Sequence, residues 1–177
     1  MAILEIKRFG HPALRQRAAE VDRVTDVHQR LVTDMVETMR AAPGVGLAGP
    51  QVGVLDRIFV WEVEEEHGAV FNPVITEASE EKVEEEEGCL SLPGLYYPVL
   101  RSRVVRVEGT DESGRPVVLD AEDLLARVCQ HEIDHLDGVL FIDHLPEDLR
   151  KEALAILRDQ AMGLAPAPPP RSGEGPL

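Results

Sequence analysis

Only two cysteines, Cys89 and Cys129, occur in 177 residues, too few for a disulfide framework. In a reducing compartment, isolated thiols of this kind are core residues, ligands or nucleophiles. No run approaches the roughly 20 apolar residues of a membrane span, and the opening MAILEIKRFG lacks the basic-then-apolar pattern of a secretory signal, so a cytoplasmic location is expected. Internal repeats are absent as well. Positive charge is scarce, with 18 Lys and Arg against 33 Asp and Glu, a net charge of −15. Much of the excess lies between Glu62 and Glu87, where eleven carboxylates meet one lysine. That stretch is expected to form a solvated acidic loop and strand edge, which disfavours direct nucleic-acid binding.

What is present suffices for one core. A chain of this length, 44% apolar, buries roughly 70% of its unfolded surface as a single domain, and disorder of the whole chain is excluded. We place that domain at residues 1–163, followed at 164–177 by a tail too rich in Pro and Gly to pack and expected to be disordered.

The pattern begins with a short strand in IKRF, a Gly-His-Pro turn and a brief helix opened by Pro12. Val24, Val27, Leu31, Met35 and Met39 recur at three or four, which predicts a helix over 24–42, stopped by Pro43 and Gly44. After the loop GVGLAGPQVG come a strand in RIFVWEV, extended pieces broken by turns through EGCLSLPG, and a hairpin turning at Asp111, Ser113 and Gly114. Asp120 is read as the N-cap of a helix through QHEIDHLD, ended by Gly138, and a last amphipathic helix spans 147–162. Strands and helices do not alternate. The order fits an α+β fold of antiparallel strands around a buried helix better than a doubly wound sheet.

His131, Glu132 and His135 form HEIDH, an instance of H-E-x-x-H. On a helix, residues four apart lie only about 40° out of alignment, so both imidazoles reach one cation. The intervening glutamate sits beside that cation without having to ligate it, the place of a general base acting on metal-bound water. Cys89, in EGCLS, leaves a Cys-His-His site open; three protein ligands free the fourth position for water, as in catalytic sites. Cys129 falls about 200° around the helix from His131, and core packing is its expected role. His11, His28, His67 and His144 have no ligand spacing to one another and are read as surface or turn residues. Gly44, Gly46 and Gly49 match a dinucleotide-binding pattern by accident, because a helix precedes and a strand follows them. Close approach of a bound peptide is the simpler need, with the Gln51 amide available to a developing oxyanion.

Taken together and in order, GVGLAGPQVG, EGCLSLPG and QHEIDHLDGVLF resemble the peptide deformylase family over roughly residues 1 to 160. The resemblance implies antiparallel sheets around the HEIDH helix. It also implies removal of the formyl group from N-formylmethionyl nascent polypeptides, with release of formate. It makes Cys89, His131 and His135 the ligands of one Fe2+, replaceable by Zn2+, Ni2+ or Co2+, and Glu132 the base that later protonates the leaving amine. Gln51 and the backbone N–H of Leu90 become the oxyanion donors, and Gly46 the strand that pairs with substrate. Leu124 and Val128, on the face of His131, are with Val45 the expected lining of the methionine pocket. Gly49 replaces the family's commoner alanine, and Tyr96 falls where some relatives carry a substrate-contacting arginine. The segment 147–159 holds three basic and four acidic side chains, unlike the basic helix by which some relatives dock on the ribosome, so only transient ribosome proximity is expected. The opening lacks the Arg-rich, Ser-rich character of a transit segment, which favours a bacterial enzyme. A zinc protease using HEIDH is the rival reading, and its third ligand would be a downstream Glu or His.

Overall fold

Alternation in one strand organises two cores at once. In β2 (Ile58–Val63) Phe59 and Trp61 face one side of a sheet while Ile58 and Val60 face the other, and all four are buried. The computed structural model describes residues 2–164 and 177. Around β2, an antiparallel five-stranded sheet runs in the order β1 (Gly46–Ala48), β2, β3 (Glu66–Ala78), β6 (Val104–Thr110) and β7 (Pro116–Glu122). One face packs on α1 (Asp26–Ala41) through Met35 and Met39, the other on α2 (Asp123–Leu136) through Ala126, Val128 and Cys129. β4 (Lys82–Cys89) and β5 (Leu92–Ser102) form a separate antiparallel pair. Their cluster of Leu92, Leu95, Tyr97 and Val99 closes on Phe141, Ile142 and Leu157, the last from α3 (Glu147–Ala161). Each such fully buried side chain contributes about 1.5–3 kcal/mol. Helix α2 touches strands of both sheets and is therefore the central element, as the α+β reading requires.

The sequence reading needs correction at several elements. IKRF forms no ladder; single bonds, Lys7 N to Gln51 O (2.7 Å) and Phe9 N to Ser91 O (3.0 Å), hold it instead. The helix opened by Pro12 is one 3-10 turn, Pro12–Arg15. Val27 is 70% exposed on α1, whose buried face carries Val32, Met35, Thr38 and Met39. GVGLAGPQVG is not a plain loop, because it supplies β1 and a 3-10 turn over Gly49–Val52. Most of the acidic stretch is strand, with Glu64 and Glu65 alone at the β2–β3 tip, and β5 takes LYYPVLR, which the sequence pattern left unassigned. Asp120 does not cap α2. It lies in β7, pairs with Arg106 across the ladder (2.7 Å), and the cap is Glu122. Pairing of Val104 with Glu122 extends β7 to its end, and the chain then reverses at Asp123 with φ of 50°. The expectation of a disordered tail falls on residues 165–176, which lie outside the described residues.

Candidate metal centre and active site

The His pair comes from the helix because HEIDH sits on the inward face of α2. His131, Glu132 and His135 are 0–1% exposed, although each carries polar atoms that burial penalises. Cys89 arrives from the other sheet at the end of β4, where the pairing slips between Glu87 and Cys89. Such a slip re-aims a strand's side chains. Its Sγ lies 3.3 Å from His135 Nε2, and ligand atoms of Cys89, His131 and His135 all lie within 4.8 Å of one another.

Whether these residues suit a cation is tested by what they leave unpaired. His131 Nε2, His135 Nδ1 and both Glu132 oxygens are buried without a hydrogen-bond partner. Burial pushes the Cys89 thiol up to about 12 and drives the His135 imidazole well below its ordinary value. Burial, then the Glu87 and Asp134 charges, raises the Glu132 carboxyl well above the carboxylate range. A divalent cation would reverse each of these penalties, and one thiolate with two imidazoles suits iron, zinc, nickel or cobalt.

Gln51, Leu90, Gly46 and Val128 lie close to this cluster or to Glu132. Gln51 is fully buried; its Oε1 accepts from Ala48 N (2.8 Å), which turns the amide nitrogen toward Cys89 Sγ at 3.7 Å. Leu90 follows Cys89 directly, and its side chain lies over Gly44, where an added Cβ would be 2.7 Å from Cδ1. Gly46 has a local reason in addition to the one expected. A Cβ there would sit 2.4 Å from Glu132 Oε1 and 3.0 Å from Val128 Cγ1, so the missing side chain makes room for the carboxylate. Val128 is fully buried, and Val45 and Leu124 pack partly buried on the same apolar cluster. Cys129 is buried within that cluster, apart from the ligand group. Among the other histidines, His11 caps the first 3-10 turn, His28 caps α1 through Thr25, and His144 pairs with Asp134.

Sequence reasoning missed the groups behind His131. Glu87, assigned to a solvated acidic face, is 0% exposed and bonds His131 Nδ1 (3.0 Å), Arg101 Nε (2.7 Å) and Arg127 Nη1 (2.8 Å). Burial pushes its carboxyl up, but the hydrogen bonds from His131 and Arg101 outweigh this and hold it well below the usual range. Nothing in the local sequence sets it apart from the exposed Glu84, Glu85 and Glu86.

With this geometry in hand, known proteins supply the comparison. A family model described as polypeptide deformylase matches residues 3–151. A peptide deformylase of Acidothermus cellulolyticus is 45% identical, covering 98% of this chain and 99% of its own. That of Treponema pallidum is 48% identical over 85% of this chain and 93% of its own. Among solved structures, a peptide deformylase of Ehrlichia chaffeensis in complex with actinonin superposes with a TM-score of 0.87 at 37% identity, covering 90% of this chain and 98% of that one. The Thermus thermophilus peptide deformylase gives 0.84 at 47% identity, over 92% and 97%. Matched along most of its length in both sequence and fold, the chain belongs to the polypeptide deformylase family.

Proposed function

We propose that the chain hydrolyses the N-formyl group from formylmethionine at the start of new polypeptides, releasing formate. The observation that carries this is the buried Cys89–His131–His135 group with the Glu132 carboxylate of the same helix lying against Gly46 of β1, an edge strand of the larger sheet among the described residues. In this reading Cys89, His131 and His135 hold one divalent cation, Fe2+ in the cell, with Zn2+, Ni2+ or Co2+ as substitutes. When bound, that ion supplies Lewis-acid chemistry, polarising the formyl carbonyl and acidifying water.

The chain's own residues do the rest. Glu132, in a dry site, takes the proton from the attacking water and returns it to the leaving amine. The Gln51 amide, fixed by Ala48 N, and the Leu90 N–H donate to the oxyanion, each worth about 3 kcal/mol. Gly46 pairs with the substrate backbone as an added strand, which reads main chain and tolerates many sequences. Val45, Leu124 and Val128 line the methionine pocket, and the absence of charge at these positions suits a thioether. The protease alternative calls for a third ligand downstream, whereas the cluster found among the described residues takes Cys89 from upstream.

Substrates of this kind place the enzyme in the bacterial cytoplasm, close to the ribosome for the moment a chain emerges. No helix among the described residues is long and apolar enough to cross a membrane. The test is formate release from formyl-Met-Ala-Ser by anaerobically prepared protein. Glu132→Ala is expected to keep its metal and lose about 10²–10⁴-fold in kcat; a variant as active as wild type overturns the mechanism. Exposure of the iron form to air is expected to abolish activity that the cobalt and nickel forms retain, and equal air stability of all three would count against iron.

A further inference from the structure

One carboxylate in the molecule is far more heavily engaged than solubility or an ordinary ion pair requires. Glu87 is fully buried and takes Arg101 in a two-point grip, Nε at 2.7 Å and Nη2 at 3.0 Å, with Arg127 Nη1 added at 2.8 Å. The arginines are themselves anchored. Arg127 also donates to the carbonyls of Val99 and Val83, both at 2.9 Å, and Arg101 to Asp134 Oδ2 at 2.7 Å, which His144 meets as well. Two fixed guanidiniums on one carboxylate make it a rigid, permanently ionised acceptor.

The remaining contact from Glu87 goes to His131 Nδ1 at 3.0 Å, while His131 Nε2 is buried and unpaired. A carboxylate can only accept, so the Nδ1 atom carries the proton and Nε2 presents its lone pair. We infer that Glu87 is a positioning residue for the metal centre: clamped by Arg101 and Arg127, it fixes the tautomer and ring orientation of His131 and strengthens that imidazole as a ligand. An ion pair serving only to join β4 to β5 and α2 is complete with the arginines and has no use for an imidazole. Loss of a group that orients a ligating histidine this way weakens metal binding about 10–100-fold.

The inference rests on the metal reading of Cys89, His131 and His135, and the experiment separates the two. Cobalt affinity is measured by chelator competition starting from the Co2+-loaded enzyme, for wild type, Glu87→Gln and Glu87→Asp. Glutamine keeps the size and loses the charge; aspartate keeps the charge and both arginine partners but falls short of His131. Both variants are expected to bind Co2+ at least 10-fold more weakly, with altered visible absorption and a circular dichroism spectrum like that of wild type. Affinities and absorption equal to wild type overturn the role of Glu87, and wild type without a thiolate-ligated cobalt spectrum overturns the metal reading itself. A measurement without any variant covers a failure of either to fold. In the zinc-loaded wild type labelled with 15N-histidine, His131 is expected to be protonated at Nδ1, with a downfield, slowly exchanging proton. A proton at Nε2, or none at Nδ1, overturns the inference.

Discussion

At the scale of single residues, the site depends on an atom that is not there. Gly46 leaves the space into which the Glu132 carboxylate fits, so Gly46→Ala is expected to push Oε1 aside by about 1 Å. A displacement near 1 Å of a reacting group costs about 10²-fold. We therefore expect kcat to fall by about that factor while Co2+ binding is retained, measured side by side on the same preparation. Full activity would mean that Glu132 finds its working position elsewhere. The His131–His135 pair was legible in the sequence because its spacing, four residues on a helix, is read without knowledge of the fold, whereas Cys89 lies 42 positions before His131 and only the fold brings the three candidate ligands together. Glu87 was not legible, because it closes a run of four glutamates, Glu84 to Glu87, of which it alone is buried. Local sequence cannot distinguish the fourth from the three exposed ones. The slip in β4 pairing and the arrival of arginines from β5 and α2 make the difference.

Among the elements, long periodic segments were read well and junctions poorly. The α1 and α3 patterns were clear because each buries one stripe, α2, buried around most of its girth, was marked instead by its histidine spacing and by Gly138, and the β6–β7 turn was clear because Asp111 Oδ1 accepts from the N–H groups of Ser113 and Arg115 in a way its residues advertise. The start of α2 went astray since Asp120 has the chemistry of a cap, yet strand pairing claims it and leaves Asp123 to turn the chain at positive φ. Asn72 is a similar device within β3. Its φ is 50°, its Oδ1 accepts from Val21 N at 2.8 Å and its Nδ2 donates to Val21 O at 2.9 Å, pinning the N-terminal segment to the sheet. Asn72→Ala removes both bonds and places an alanine in the left-handed region. A loss of about 2–3 kcal/mol in urea denaturation is expected, and a change below about 0.5 kcal/mol would show that the segment is held by other contacts.

On the scale of the whole molecule, α2 lies between two sheets with separate apolar clusters, and the candidate ligand group ties this central helix to the smaller sheet through Cys89. Metal removal is therefore expected to be felt globally. Chelation should lower the thermal midpoint of the entire chain in one cooperative transition, seen alike by far-UV circular dichroism and by the fluorescence of Trp61, which is buried on the α2 face of the larger sheet. A midpoint unmoved by chelation would indicate that the sheets hold each other without help. The reason lies in chain connectivity. Cys89 and His135 are 46 positions apart, and an ion joining them ties off that stretch as a disulfide would. A cross-link of this span removes about 4 kcal/mol of freedom from the unfolded chain. The three side chains proposed to hold the ion would thus also serve as a staple, in a sequence whose two cysteines are both free. Loss of the ion through oxidation would then weaken the protein's shape along with its chemistry, so spent enzyme should be the form most open to proteolysis.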